Sequence, residues 1–212
     1  MKPTLFGLSE SVYTRIARLV FEEKGVEYEF EEVDIFGDDG VPADYLKLHP
    51  FGRIPSLTHG GFALYETSAI IRYVEEAFDG PVLQPDTPEL RARMNLIISL
   101  LDSYAYRPMI WDVFVERVVV PEEHGTPNEV VISGALHIAQ TCLDELELRL
   151  GDKQFFLGPE LTLADLHAAP MLLYFAQTPE GERMLESKSN LVQWMGHMRL
   201  RHSIERTKSI YG

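Results

Sequence analysis

Residues 49–70 read HPFGRIPSLTHGGFALYETSAI and decide how the rest of the chain is interpreted. Two apolar runs, Ile54–Thr58 and Phe62–Tyr65, flank the pair Gly60-Gly61. Paired glycines between runs of this length predict a β-hairpin. Apolar residues at helical spacing follow from Ile70 onward, so the stretch predicts a strand, a reversal, a second strand and a helix.

Two local features of this stretch predict a ligand site. Glu66 and Thr67 stand where the second strand gives way to the helix, and the first N–H groups of a helix lack partners and attract anions. A plain helix cap is the alternative interpretation of these two residues. Pro55 cannot donate to a sheet ladder, so it predicts an edge, a bulge or a cis bond. A cis bond would leave the Ile54 N–H and C=O free to pair with an extended peptide.

Composition restricts the classes of partner and the compartment. The net charge is −14, from 19 basic and 33 acidic residues, and this disfavours nucleic acid and anionic membranes as partners. The single cysteine, Cys142, permits no internal disulfide, and the seven histidines lack a metal-site spacing. No apolar run reaches the ~18 residues of a membrane span, and the N-terminus lacks a signal-peptide pattern. We therefore expect a protein of the reducing cytoplasm without a metal.

The first half of the chain alternates strands and helices. The predicted elements are a strand at Thr4–Gly7, a helix from Ser11 to Gly25, a strand at Tyr28–Ile35, an acidic loop at Phe36–Val41, a short helix at Pro42–Leu48, and the hairpin and helix described above. This order, βαβαββα, is that of a thioredoxin-like α/β domain, with a parallel pair at its start and an antiparallel pair at its end.

The second half is helical throughout. Prolines 81, 85 and 88 predict a stiff linker. The predicted helices are Glu89–Val120 with a kink at Pro108, Val130–Leu150, one from Thr162 to about Gln177, Pro179–Ser187 and Ser189–Arg199. We expect a domain at 1–79, a linker at 80–88 and an all-α helical-bundle domain at 89–212.

Two motifs together carry a family resemblance. Pro50-Phe51-Gly52-x-Ile54-Pro55, followed by Glu66-Thr67-Ser68-Ala69-Ile70-x-x-Tyr73, resembles the glutathione-binding half of the cytosolic glutathione S-transferases. Leu161–Leu166 resembles the helix-capping signature of their second domain. The resemblance covers essentially the whole chain. It implies a homodimeric enzyme that joins glutathione, as co-substrate, to a small electrophilic, largely apolar substrate without a metal.

The resemblance also implies how the thiol is activated. A free thiol titrates near ~8.5, so the enzyme must favour the thiolate. Ser11 begins the first helix, and the segment Ser11–Arg15 resembles serine-type members of the family, especially the phi class. A cap of the helix is the alternative role for Ser11, and Ser9 is the second candidate donor. Phe6 lies near the place of the phenol in tyrosine-type members and has no hydroxyl.

By the same resemblance, Ile54 and Pro55 hold the cysteinyl backbone of glutathione, and Glu66 and Thr67 hold its γ-glutamyl group. Arg53 contacts the glycyl carboxylate, Phe51 makes the dimer contact, and Tyr13, Tyr106 and Trp111 line the apolar pocket.

One departure concerns the phi class. Gly40-Val41 replaces the His-Lys pair that phi members commonly have there. A bacterial theta-like member is therefore an equal expectation. Glutathione-dependent reduction, ether cleavage, dehalogenation or isomerisation, and a non-catalytic binding role, are the alternative functions.

Overall fold

The computed structural model describes residues 1–37 and 40–211 and divides the chain into two compact units. Met1–Val82 and the segment from Arg201 onward form the first unit, and Leu83–Leu200 forms the second. Asp38 and Asp39 of the predicted acidic loop lie outside the described residues.

A four-stranded mixed sheet is the centre of the first unit. Its strands are β1 (Thr4–Gly7), β2 (Glu29–Glu32), β3 (Ser56–His59) and β4 (Phe62–Tyr65), in the order β2-β1-β3-β4. The β1–β2 pair is parallel, and β3 is antiparallel to both β1 and β4. The predicted topology is therefore confirmed, although β2 is shorter than the sequence pattern indicates.

Local signals place the helices of this unit. Helix α1 (Val12–Lys24) begins at Ser11, whose side chain accepts a hydrogen bond from the Thr14 N–H. It ends at Gly25 in the left-handed conformation, which glycine adopts without a steric penalty. Helix α2 (Thr67–Ala77) follows β4, and a single 3₁₀ turn at Tyr45–Lys47 replaces the predicted helix at Pro42–Leu48.

The second unit is built from helices. They are α3 (Pro88–Leu100), which continues as π-helical turns at Leu101–Ala105 and Arg107–Val119 and ends in α4 (Val120–Glu122), then α5 (Glu129–Leu150), α6 (Leu163–Phe175), α7 (Pro179–Leu185) and α8 (Ser189–Arg199). Every residue of α6 is buried. The predicted capping box at its start is present, with Asp165 accepting from the Thr162 N–H at 3.0 Å.

The long helix departs from the prediction in its hydrogen bonding. The proline predicts an irregularity at Pro108, whereas the wide π-helical turns begin at Leu101 and resume at Arg107. Pro108 has no N–H for the helical ladder, and its ring crowds the preceding turn. A π-helical turn takes in an extra residue, so a stretch of wide turns surrounds the proline.

The C-terminal segment corrects the predicted extent of the helical domain. A short helix, α9 (His202–Arg206), was not predicted, and it belongs to the first unit. Arg201 forms two hydrogen bonds with Glu23 of α1, at 2.7 and 2.6 Å, and Arg15 donates to the Ile204 carbonyl at 3.2 Å. These contacts bind the segment to α1, so the predicted range 89–212 is too long at its end.

A buried ion pair joins the end of α1 to α2, and the same lysine also reaches the segment that follows α2. The ammonium group of Lys24 lies 3.0 Å from the Glu75 carboxylate and donates to the Pro81 carbonyl at 3.2 Å. Gly80 crosses the Lys24 backbone with φ +140°, and a Cβ at this position would lie 2.4 Å from the Lys24 carbonyl oxygen. Glycine is therefore required by both the torsion angle and the close approach.

We expect Gly80→Ala to lower the free energy of unfolding by about 2 kcal/mol or more, since both the clash and the positive φ are penalised. Gly134→Ala is the control, because Gly134 lies inside α5 with open space at its Cβ position. There alanine should stabilise the helix by about 0.5–1 kcal/mol. Urea unfolding of the three proteins measures both changes, and equal effects of the two substitutions would contradict this account.

Candidate active site

Register brings three segments to one end of the sheet. Phe6 of β1 pairs with Ser56 of β3, and Ser56 pairs with Tyr65 of β4. The chain therefore leaves β1 toward Ser11, enters β3 from Ile54 and leaves β4 toward Glu66 at the same end. Ser11, Ile54 and Glu66, which the sequence places in separate segments, thus lie at the same end of the sheet within the first unit.

Ser11 caps the N-terminus of α1 through its side-chain oxygen. Its Oγ accepts from the Thr14 N–H at 3.3 Å, and its backbone N–H donates to the Leu8 carbonyl at 3.0 Å. Because a serine hydroxyl both donates and accepts, the cap uses the oxygen and leaves the hydrogen for an outside acceptor. The side chain is half-buried at the N-terminus of α1, where the helix dipole favours negative charge.

Ser9, the second candidate, is engaged elsewhere. Its Oγ lies 2.6 Å from a Glu32 carboxylate oxygen and 3.1 Å from one of Glu10. A hydroxyl has one hydrogen to donate, and a carboxylate is a strong acceptor. This geometry favours Ser11 over Ser9 as the donor to a ligand.

Ile54 presents backbone groups that the fold does not use. The Ile54–Pro55 bond is cis, one of the three predicted possibilities. The edge-strand possibility is wrong, because β3, which begins directly after Pro55, lies between β1 and β4. Within the described residues neither the N–H nor the C=O of Ile54 forms a hydrogen bond, although its side chain is buried. Both groups can therefore pair with an added extended backbone.

Glu66 has an unusual backbone at the junction of β4 and α2. Its φ is +73° and its ψ is 116°, a region that non-glycine residues rarely occupy. Its carbonyl accepts from the N–H groups of Ala69 and Ile70, but its side chain forms no capping hydrogen bond. The exposed carboxylate is therefore left for another partner, which disfavours the plain side-chain cap. Thr67, the first helical residue, is buried beside it.

The imidazole of His49 is influenced by both charged residues of the site, Arg53 and Glu66. Burial lowers the pKa of its imidazole, Arg53 lowers it further, and Glu66 partly offsets both. The ring is therefore neutral at neutral pH, and it packs against Tyr65 with centroids 4.7 Å apart. No local sequence pattern predicts this packing of His49, because it depends on the contact between the loop and β4.

The exposed Phe51 excludes an internal core contact as its role. Its side chain is 71% exposed and touches the rings of His49 and Tyr65 edge-on, with centroids 6.3 and 6.2 Å apart. Large exposed aromatic side chains in a rigid loop are typical of interaction surfaces.

The predicted pocket residues lie in different parts of the chain. Tyr13 is half-buried on α1. Tyr106 and Trp111 belong to the second unit. Tyr106 lies between the two π-helical stretches of the long helix and is half-buried, and Trp111 lies in the second stretch and is 37% exposed. Phe114 of the same helix belongs to the core, stacked on Tyr174 at 4.9 Å.

No helix among residues 1–37 and 40–211 has the length and apolar character to cross a membrane. In the same part of the chain, no three His, Cys, Asp or Glu side chains gather in a way that could hold a metal ion. Burial raises the pKa of the Cys142 thiol to about 11, so this thiol stays protonated.

Two family profiles match the chain. Residues 5–82 match the profile described as glutathione S-transferase, N-terminal domain, and residues 129–197 match the profile described as glutathione S-transferase, C-terminal domain. Together they cover well over half of the sequence, one in each structural unit.

Individual proteins that are similar to this chain are also named glutathione S-transferases. Glutathione S-transferase F13 of Arabidopsis thaliana is 28% identical over 196 residues, which cover 92% of this chain and 89% of that protein. The solved apo structure of a glutathione S-transferase III superposes with a TM-score of 0.87 at 27% identity, covering 100% and 97% of the two chains. A theta class glutathione S-transferase from Xanthomonas axonopodis pv. citri, solved with glutathione bound, gives 0.83 at 25% identity, with 97% and 96% covered.

The backbone of Glu66 generates a stability prediction. Alanine keeps the Cβ that makes a positive φ costly, whereas glycine relieves it, so Glu66→Gly should be about 1 kcal/mol more stable than Glu66→Ala. The same pair of substitutions at Ser68, inside α2, should show the opposite order by a similar amount, because alanine is the better helix former. Thermal or urea unfolding of the four variants tests this reversal. If alanine is more stable than glycine at both positions, the backbone at Glu66 is not strained.

Proposed function

Because the chain belongs to the glutathione S-transferase family, we propose that it uses Ser11 to stabilise the thiolate of glutathione and joins this thiolate to an electrophilic, largely apolar substrate. The convergence of Ser11, Ile54 and Glu66 at one end of the sheet carries the proposal. We further propose a serine-type enzyme of phi-like or theta-like character that works in the cytoplasm. In it, residues 1–79 bind glutathione, and a linker at 80–88 leads to the helical domain.

The thiol requires local stabilisation of its anion. Lowering a thiol pKa by two units corresponds to about 2.7 kcal/mol of preferential interaction with the thiolate. The Ser11 hydroxyl supplies a hydrogen bond to a charged acceptor, worth about 1.5–3 kcal/mol. The N-terminus of α1 adds a favourable dipole. Ser11 acts here as a donor and forms no covalent bond with the substrate.

The peptide of glutathione is recognised by groups that the fold leaves unpaired. The N–H and C=O of Ile54 pair with the cysteinyl backbone, in the manner of an added strand. The carboxylate of Glu66 binds the γ-glutamyl ammonium group, and the backbone N–H groups at Thr67 and the start of α2 bind the γ-glutamyl carboxylate. The exposed guanidinium of Arg53 binds the glycyl carboxylate.

The second substrate binds beside the thiolate. Tyr13 is proposed to contact this substrate, because it is half-buried on α1 and offers an aromatic surface that the first unit leaves partly open. Aromatic rings supply apolar contact area without a demand for a particular functional group. This contact therefore suits an apolar electrophile.

We expect Ser11→Ala to lose most of the thiolate stabilisation while glutathione still binds within a few-fold of its native affinity, because the peptide is bound elsewhere. Turnover of a chlorinated nitroarene at neutral pH should fall ten- to a hundredfold, and the apparent pKa of the pH–rate profile should rise. Ultraviolet titration of the bound thiolate measures the pKa directly.

Ser9→Ala is the matched control, because Ser9 lies in the same turn with its hydroxyl directed at carboxylates. It should leave the thiolate pKa at its native value. If Ser9→Ala shifts the titration and Ser11→Ala does not, the donor is Ser9. Absence of both glutathione binding and turnover in the native chain would refute the proposed enzyme.

We also propose a homodimer in which Phe51 inserts into the partner. Light scattering of the native chain at micromolar concentration should give twice the 24.1 kDa chain mass. Phe51→Ala should weaken association, since a buried phenylalanine side chain contributes about 2 kcal/mol or more. Phe62→Ala removes another exposed aromatic ring, at the β3–β4 hairpin, and should leave association unchanged. A native chain that is monomeric under these conditions rules out the dimer.

A further inference from the structure

Tyr45 touches both ends of the loop that carries the peptide-binding backbone. Its backbone carbonyl accepts from the His49 N–H at 2.9 Å, at the start of the loop. Its phenol donates to the Arg53 carbonyl at 2.7 Å, at the end of the loop. Inside the loop, the Gly52 N–H donates to the His49 carbonyl at 2.9 Å. The loop from His49 to Arg53 thus has an internal hydrogen bond, and Tyr45 forms hydrogen bonds with both of its ends.

The phenol bond fixes the direction of a neighbouring N–H group. The Arg53 C=O and the Ile54 N–H belong to the same peptide unit, which is planar and trans, since the cis bond of this segment is the following one. In a trans peptide the C=O and N–H point to opposite sides. A donor that holds the Arg53 oxygen on one side therefore holds the Ile54 N–H toward the other side.

We propose that Tyr45 is a positioning residue for glutathione, which orients the Ile54 N–H toward the cysteinyl carbonyl through its hydrogen bond to the Arg53 C=O. This inference rests on the proposed binding of glutathione at Ile54. Polarisation acts in the same direction, because a peptide whose C=O accepts a strong hydrogen bond has a better N–H donor.

The surroundings of Tyr45 keep its phenol in this role. Its side chain is 4% exposed, so few other orientations are open to it. Burial raises the pKa of the phenol, so it remains a protonated donor throughout the neutral range. Its own position is set by the 3₁₀ turn at Tyr45–Lys47, which directly precedes the loop.

The test compares Tyr45→Phe with Tyr73→Phe. Tyr73 lies on α2 of the same unit, and its phenol forms a hydrogen bond of similar length, 2.8 Å, with His59. Tyr45→Phe should weaken glutathione binding about five- to tenfold by calorimetry. It should leave the bound thiolate pKa and the turnover at saturating glutathione unchanged. Tyr73→Phe should leave all three quantities at their native values.

A glutathione analogue with its cysteinyl carbonyl reduced to a methylene shows whether the effect passes through Ile54. Tyr45→Phe should cost this ligand much less affinity than it costs glutathione, because the acceptor of the Ile54 N–H is gone. An equal loss for both ligands would show general damage to the loop and would overturn the proposal.

A second variant tests the same role independently, in case Tyr45→Phe folds poorly. Site-specific 3-fluorotyrosine at position 45 retains the ring and the donor, so glutathione should bind it at native affinity or more tightly. Weaker binding in this folded variant would overturn the role of the phenol as a donor. If the native chain binds glutathione and Tyr45→Phe binds it equally well, the inference about Tyr45 fails alone. If the native chain does not bind glutathione, the proposed function itself fails.

Discussion

The N–H and C=O of Ile54, which the fold leaves without a partner in the described part of the chain, are the constraint on which the candidate site depends. The polar backbone groups of folded proteins are nearly always paired. Those of Ile54 form no hydrogen bond within the described residues, although β3 begins two residues later with a full ladder on both sides. The chain thus stops pairing with itself at the end of the sheet where Ser11 and Glu66 also lie. A peptide ligand can supply the missing partner there.

The negative net charge of the chain is the reason why an anionic ligand needs local hydrogen-bond donors at this site. A chain with a net charge of −14 repels anions, and glutathione is an anion. Glu10 and Glu32 are adjacent to the proposed thiolate donor through Ser9, so the immediate surroundings are not basic. Direct hydrogen bonds and helix N-termini act at contact distance, whereas the field of distant charges is screened beyond ~8 Å in physiological salt. In the proposed complex, recognition of glutathione therefore depends on the directions of a few donors rather than on the overall potential.

The features that the sequence predicted are those encoded by neighbouring residues. The cap at Ser11, the stop at Gly25 and the capping box of α6 are each set within a few positions, and all are present. The return of Arg201 to Glu23 joins residues that are 178 positions apart, and no local pattern encodes it. Tyr45 and Arg53 are only eight positions apart, but no sequence pattern predicts the bond between them, because the segment that joins them lacks periodicity.

A binding site built largely from backbone groups, as proposed for this chain, is compatible with the divergence of its sequence. Relatives share only about a quarter of their residues with this chain, and yet a solved structure superposes with a TM-score of 0.87. A binding group supplied by the backbone tolerates almost any side chain, provided that the local torsion angles are kept. What must be retained are the residues that set those angles, such as Pro55, the backbone at Glu66 and the loop that Tyr45 fastens. In the proposed mechanism the chemistry of the thiol depends, in contrast, on the single hydroxyl of Ser11, so the reaction and the peptide site can be separated by one substitution.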